Sequence, residues 1–163
     1  MLSFDRRLFL LSSLALTTGC GFSPAFAPGG AATRLQNSVT LDDPDDRADY
    51  LLVRRFEERM GPANPARYGL SYSVSLVESG IAVSSTSITT RQNILGSITY
   101  ALRDLQTDKV VSSGTVDQFT SYSAEDTTIS AQTSKQDAEE RLMVIMTDQM
   151  ITRLTADTSQ LSA

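Results

Sequence analysis

The residue best placed for chemistry in this chain is Cys20, its only cysteine. It follows Arg6 and Arg7, an apolar run at residues 8–16 and the small or polar residues 17–19. A basic start, a short apolar run and small residues before a cleavage point are the three parts of a bacterial secretory signal. We therefore predict that residues 1–19 are a lipoprotein signal peptide and that the thiol of Cys20 carries lipid, which would anchor the chain to a membrane.

Two alternative interpretations of this segment stay open. Ala25-Phe26-Ala27 could be cut by an ordinary signal peptidase, which would leave a soluble secreted protein, and Thr17 stands where such lipidation motifs usually carry leucine. The paired arginines also resemble a twin-arginine signal, which concerns the export route and not the anchor. The apolar run itself is too short to cross a bilayer, since crossing requires about 20 apolar residues.

The composition excludes several classes of function. The chain contains no histidine, so Ser-His-Asp and Cys-His triads and His/Cys zinc sites are ruled out. It shows no phosphate-loop or dinucleotide fingerprint, and catalysis by a pair of carboxylates is possible in principle but has no support in the sequence. Its net charge is −5 without any Lys/Arg run, which argues against a nucleic-acid partner. We predict a protein that is not an enzyme and that uses no cofactor and no metal.

An acidic run at residues 42–46 could suggest a cation site, because four of these five residues are aspartates. The run lacks the spacing and the glycine of a calcium loop. Negative charge is favoured at the start of a helix, where proline also fits the first position. We therefore interpret the run as a helix start, with Asp42 or Asp43 as the cap and Pro44 in the first turn.

The hydrophobic pattern predicts how the rest of the chain is organised. Residues 20–35 contain Pro and Gly without periodicity, which predicts a flexible tether. A single domain is expected over residues 36–157, and residues 158–163 are expected to form a frayed tail.

Two helices are predicted from apolar residues at helical spacing. The first carries its stripe from Ala48 to Met60 and ends at Gly61. The second is expected to start at a capping box in residues 134–137 and to run to about residue 155, with Ile145 in its buried stripe. Its methionines are interpreted as core filler, because they recur at helical spacing.

Four strands are predicted from alternating apolar and polar residues. They cover residues 36–41, 68–76, 91–105 and 110–122, with a polar hairpin turn at residues 106–109. The order βαβββα predicts an α+β fold. We expect a two-layer sandwich, in which a four-stranded, mostly antiparallel sheet carries both helices on one face. The other face would present Ser, Thr and Gly with a few charges.

Short motifs follow one another in a fixed order along nearly the whole chain after the signal segment. They are Cys20-Gly21-Phe22-Ser23-Pro24, Thr90-Arg91, Tyr100-Ala101-Leu102-Arg103-Asp104, Ser112-Ser113-Gly114-Thr115, Ser121-Tyr122-Ser123 and Asp137-Ala138-Glu139-Glu140-Arg141-Leu142 followed by Leu154. With the order βαβββα, these motifs resemble the lipopolysaccharide-assembly lipoprotein family, LptE, in its alphaproteobacterial form. Ser123 stands where many members carry asparagine.

The resemblance implies a subunit held inside the lumen of an outer-membrane β-barrel, LptD. Such a subunit plugs the barrel, helps it to assemble and assists delivery of lipopolysaccharide to the outer leaflet. It would be an outer-membrane protein, lipid-anchored and facing the periplasm. Because lipopolysaccharide is anionic, we predict contacts from Arg91, Arg103 and Lys109, with Arg67 as a further candidate. Each of them could instead be an ordinary solvated strand charge.

Two further expectations accompany this resemblance. The Ser/Thr-rich residues 84–90 could form a loop that docks to the barrel wall, or an ordinary surface loop. The main alternative for the whole protein is a generic periplasmic lipid- or ligand-binding lipoprotein, which would serve as an auxiliary subunit of an envelope transporter. Copurification with an outer-membrane barrel distinguishes the two functions.

Overall fold

A computed structural model describes residues 30–83, 89–124 and 128–160 of the chain. In chain order its elements are α1 (Ala31–Leu35), β1 (Val39–Leu41), α2 (Arg47–Met60), β2 (Tyr68–Val83), β3 (Thr89–Asp104), β4 (Val110–Ser123) and α3 (Thr128–Gln160). The predicted α+β class and the order βαβββα are confirmed, with one short helix added before the first strand. None of the helices in these ranges is long and apolar enough to span a membrane.

The four strands form one mixed sheet in the order β1-β2-β3-β4. The short β1 pairs in parallel with the start of β2, while β2–β3 and β3–β4 are long antiparallel pairs. A parallel pair requires a crossover connection, and α2 supplies it between β1 and β2. The prediction of a mostly antiparallel sheet is therefore confirmed.

The core lies between one face of the sheet and the helices α2 and α3. Alternate residues of β3, among them Ile94, Ile98 and Leu102, point to this side and are at most 1 % exposed. Phe56 of α2 and four methionines fill the opposing layer. Burial of each large side chain contributes about 1.5–3 kcal/mol, so this interface holds the two layers together. The interpretation of the methionines as core filler is confirmed.

The helix α2 starts later than the sequence pattern suggested. Asp46 caps it and accepts a hydrogen bond from the backbone N–H of Asp49 at 2.9 Å, so Asp42 and Asp43 are not the cap. The reason is that the backbone N–H of Asp42 donates to the carbonyl oxygen of Leu70, which keeps this residue on the sheet. The acidic run therefore leads from β1 into the helix.

The helix α3 is longer than predicted at both ends. Residues 134–137 lie within it and do not cap it, since the helix begins at Thr128. At its other end residues 158–160 are helical, so the frayed tail predicted for residues 158–163 is wrong for these three, and residues 161–163 lie outside the described part. The hydroxyl of Thr158 donates to the carbonyl of Leu154 at 2.8 Å within this last turn.

The buried face of α3 also differs from the predicted stripe. Ile145 is 51 % exposed, whereas Met143, Thr147 and Ile151 are buried. The helix α3 packs against α2 as well as against the sheet. Its buried surface therefore faces two neighbouring elements rather than the sheet alone.

The predicted tether at residues 20–35 is wrong for its last five residues. These residues form α1, in which Ala32 and Leu35 are 0 % and 2 % exposed. The following turn replaces the start of the predicted first strand: the backbone N–H of Asn37 donates to the carbonyl oxygen of Met60 at 2.8 Å. Residues 20–29 lie outside the described part of the chain.

Candidate functional site

The structure separates the three cations that were predicted to contact lipopolysaccharide. Arg91 and Arg103 lie near opposite ends of β3, twelve residues apart, which corresponds to about 40 Å. Arg103 pairs with Val110, directly after Lys109 in the β3–β4 turn. Arg103 and Lys109 are therefore neighbours, and Arg91 is too distant to share one headgroup with them.

Most cations of the helical layer are engaged by carboxylates. The ion pairs are Arg54–Glu140, Arg55–Asp148, Arg59–Asp148, Lys135–Glu78 and Arg141–Asp137. Hydrogen bonding to Asp148 raises the pKa of Arg55, and hydrogen bonding to Glu78 raises the pKa of Lys135. Among the described residues, Arg103 and Lys109 form no such pair, and both are exposed.

Arg67 completes a group of cations at this end of the sheet. Its carbonyl oxygen accepts a hydrogen bond from the backbone N–H of Leu105 at 2.9 Å, which fixes Arg67 beside the β3–β4 turn. Its guanidinium lies 5.2 Å from the ring centre of Tyr68, a cation–π contact. We call Arg67, Arg103 and Lys109 the turn-end cations.

Asp104 organises the turn that carries these cations. Its carboxylate accepts hydrogen bonds from the backbone N–H groups of Gln106 and Thr107 at 2.9 and 3.0 Å. These bonds lower the pKa of Asp104, with a smaller contribution from Arg67, whose Nε lies 3.8 Å away. An ionised Asp104 therefore holds the turn in place and neutralises only part of the local positive charge.

A cleft of about 250 Å³ lies beside the turn-end cations. It is lined by Arg34, Leu35, Arg67, Tyr68, Asp104, Val111 and Thr158. Of the turn-end cations only Arg67 lines this cleft, together with Arg34. Arginine side chains in a partly polar cleft can bind phosphate groups, which arginine recognises with two parallel hydrogen bonds. In the described ranges, no group of three or more acidic residues is arranged to hold a metal ion.

The sequence pattern indicates Arg67 only as a further candidate, and it predicts no apolar group on the open face of the sheet. Val77, Leu95 and Phe119 are 58 %, 48 % and 67 % exposed on that face, which was expected to carry only Ser, Thr, Gly and a few charges. A signal was present, because Leu76-Val77 and Ile94-Leu95 are adjacent apolar pairs. In a strand such neighbours point to opposite faces.

Two predicted functional segments are not covered by the structure. Cys20, the predicted lipidation site, lies outside the described residues. Residues 84–88 of the predicted docking loop also lie outside them, whereas Thr89 and Thr90 belong to β3.

Solved structures similar to this chain include several proteins described as bacterial lipoproteins. A protein of Caulobacter crescentus described as a lipoprotein is 20 % identical, with a TM-score of 0.66, and the match covers 78 % of this chain and 96 % of that one. Rare lipoprotein B of Shewanella oneidensis is 13 % identical, with a TM-score of 0.60 and coverage of 78 % and 99 %. A minor lipoprotein of Acinetobacter baumannii is also 13 % identical, with a TM-score of 0.57 and coverage of 76 % and 92 %. At these identities the likeness shows a shared fold.

The family comparison covers most of the chain. No curated protein matches it in sequence. The family model for lipopolysaccharide assembly, LptE, matches residues 32–154, which include every strand, α2 and most of α3. The chain therefore belongs to the LptE family of lipopolysaccharide-assembly lipoproteins.

Proposed function

We propose that this protein is the non-enzymatic lipoprotein partner of an LptD-like outer-membrane β-barrel. It helps the barrel to assemble, occupies its lumen and assists delivery of lipopolysaccharide to the outer leaflet. Family membership supports the assembly role. The observation that supports a direct contact with lipopolysaccharide is the exposed pair Arg103 and Lys109 next to Arg67, in a chain whose net charge is −5.

The position of α1 supports a placement of the turn-end cations near the membrane. Arg34 and Leu35 of α1 line the cleft at the turn end, so the chain enters the domain beside the turn-end cations. Gly30 lies ten positions after Cys20, and an extended chain of that length reaches roughly 35 Å at most. Lipid on Cys20 in the inner leaflet would hold the turn end near the membrane and raise its local concentration at the barrel.

The turn-end cleft does not favour the alternative of a small-molecule-binding subunit. Sites for small ligands are mostly apolar and span about 300–1,000 Å³. The cleft is smaller, and Arg34, Arg67 and Asp104 contribute charged groups to its lining. Surface contact with an anionic headgroup matches this chemistry better than enclosure of a ligand.

Copurification and depletion test the proposed partner. We expect a tagged full-length chain to bring down a large outer-membrane barrel in detergent, and we expect depletion in the native host to lower surface lipopolysaccharide. Re-expression of the wild-type chain should restore it. A chain that purifies without a barrel, together with normal surface lipopolysaccharide after depletion, would contradict the proposal and favour the generic periplasmic lipoprotein.

Replacing Arg103 and Lys109 with glutamine is expected to weaken lipopolysaccharide binding by about tenfold, since two charge-assisted contacts to phosphate are lost. The measurement is a binding titration of the purified full-length chain with lipopolysaccharide at fixed salt.

The matched control replaces Arg91 and Arg141 with glutamine, which removes the same net charge away from the turn end. Arg141 is paired with Asp137 on the exposed side of α3. We expect the control to bind within about twofold of wild type. Equal weakening in both double variants would mean that only overall charge matters, and the turn-end contact would be wrong.

A further inference from the structure

The strand β4 forms a long edge of the sheet. In the described part of the chain it pairs only with β3, whereas the opposite edge strand, β1, is three residues long. An edge strand presents a row of unpaired backbone N–H and C=O groups that can pair with another strand, and proteins usually guard such rows with charges, proline or bulges. β4 has 14 residues, no proline and a single charge, at Asp117. Its sequence therefore gives this edge little protection.

The backbone groups that point outward from β4 belong to its odd-numbered residues. The backbone N–H of Leu105 donates to the carbonyl oxygen of Arg67, so the odd residues of β3 bond to β2. Bonding direction alternates along an antiparallel strand, so the even residues of β3 bond to β4. Even residues pair with even residues over most of the β3–β4 register, which leaves the odd residues of β4 facing outward. The guanidinium of Arg153 agrees with this direction, because it donates to the carbonyl oxygen of Thr115.

This edge is guarded only near the β3–β4 turn. There the register skips Val111, which forms a bulge, and the arginine contact occupies the carbonyl oxygen of Thr115. Farther along, the outward N–H and C=O groups of Asp117, Phe119 and Ser121 have no partner among the residues that the structure describes. Three successive outward residues are thus available to a further strand.

The sequence of this segment is complementary to itself. Two copies of β4 that pair antiparallel about Phe119 place the two phenylalanines side by side and set Asp117 opposite Ser121 of the second copy. All of these are outward residues, so each pair can exchange two backbone hydrogen bonds. The phenyl rings, 67 % exposed in the single chain, would cover each other, and aromatic cross-strand pairs stabilise antiparallel strands. A register centred on Asp117 would instead bring two carboxylates together.

The helix α3 leaves room for the second copy. Gln149 accepts a hydrogen bond from Gln118 of β4 at 2.9 Å, while Met146 packs on Gly96 of β3, so the helix axis lies between these two strands. Strands are about 4.8 Å apart, so the two α3 helices would lie about 10 Å from each other, close to the 8–10 Å at which helices pack. Ile145, one turn before Gln149 and 51 % exposed, lies toward this gap.

We infer that β4 is a self-association edge, through which two copies of the chain pair antiparallel about Phe119 and join their sheets. The inference does not depend on the proposed barrel partner. The contact extends over about 30 Å of strand and a sheet and helix layer roughly 17 Å deep, which is on the order of 500 Å² on each copy. The total of about 1,000 Å² is at the lower limit for a specific interface, so we expect a weak dimer with a dissociation constant on the order of 10 µM.

The test uses the purified full-length chain with Cys20→Ala, which removes the predicted lipid and the need for detergent. Sedimentation from about tenfold below to tenfold above the expected dissociation constant should show a monomer–dimer equilibrium. Adding Phe119→Lys places like charges at the centre of the contact and should weaken the dimer at least tenfold. The matched control, Val77→Lys, makes a similar change on the same face, two strands or about 10 Å from the edge. It should dimerise within about twofold of the parent chain.

A monomer over the whole range overturns the inference. A dimer that both lysine variants weaken equally, or that neither weakens, also overturns it. The thermal unfolding midpoint of each variant should match that of the parent chain, since both replaced side chains are more than half exposed.

A cysteine variant gives a result that does not depend on the lysine variants. Phe119→Cys in the Cys20→Ala chain supplies its only thiol. Hydrogen-bonded antiparallel pairs have Cα atoms about 5.5 Å apart, which a disulfide can span. Mild oxidation should link two copies through residue 119, whereas Val77→Cys should stay monomeric. When the variant is expressed in the periplasm, a disulfide with a different protein in place of a second copy would overturn the inference, as would no disulfide at all.

Discussion

Replacing Cys20 with alanine is expected to move the protein completely from the membrane fraction to the soluble fraction of the periplasm. Each buried methylene of an acyl chain contributes about 0.8 kcal/mol, and two or more chains anchor a protein stably where one does not. Removing the thiol removes every acyl attachment at once. The measurement is fractionation of cells that express the tagged variant, with mass spectrometry of the N-terminus of the wild-type protein.

The alternative cleavage site supplies the control for this experiment. Ala27→Asp should block cleavage after Ala25-Phe26-Ala27 and leave the wild-type membrane fraction unchanged, because lipidation at Cys20 does not use that site. A wild-type protein that begins at Pro28 and is found in the soluble fraction would show ordinary secretion, and the lipid anchor would be wrong. Loss of the anchor should also lower barrel copurification, since it lowers the local concentration of the chain.

The second large effect is expected from Gly96→Val, which should destabilise the domain by about 3 kcal/mol. A Cβ atom at position 96 would lie 2.6 Å from the sulfur of Met146 and 3.1 Å from Cδ2 of Leu142. Both of these side chains belong to α3 and are fully buried, so they have little room to move. The valine would push α3 away from the centre of the sheet. Urea unfolding of the wild type and the variant measures the difference in free energy.

The neighbouring substitution Ser97→Val is the matched control. It introduces the same residue type into the same strand, but toward the open face, where no helix packs. We expect its free energy of unfolding to stay within about 0.5 kcal/mol of wild type. Equal stability of both variants would contradict the close packing of α3 on Gly96.

Local periodicity was enough to predict the fold class and much of the core. The four-residue spacing from Ala48 to Met60 identified the buried face of α2, and alternation identified Ile94, Ile98 and Leu102 as core residues. These features can be predicted from the sequence because helix and strand geometry place residues of a given spacing on one face of the element. Spacing alone does not predict the buried face of a helix that packs against two elements. The helix α3 is such a case, since Ile145 lies in its predicted stripe but is exposed.

Local periodicity predicted less of the candidate site than of the fold. Arg91 and Arg103 belong to the same predicted strand, but a strand extends by about 3.3 Å for each residue, so it places them at opposite ends of the sheet. Arg67 and Asp104 are 37 positions apart in sequence, and only the pairing of β2 with β3 brings them to 3.8 Å. Their proximity follows from strand register.

The sequence by itself determined the features that depend on local order: the motif at Cys20, the exclusion of histidine chemistry, the order βαβββα and the face that each strand buries. Tertiary structure alone decided which distant residues meet. Val77, Leu95 and Phe119 are separated by 18 and 24 positions, and they form one row because the two antiparallel registers align them. Register depends on the turn that joins two strands and on burial of both apolar faces against α2 and α3, so the pattern within one strand does not specify it.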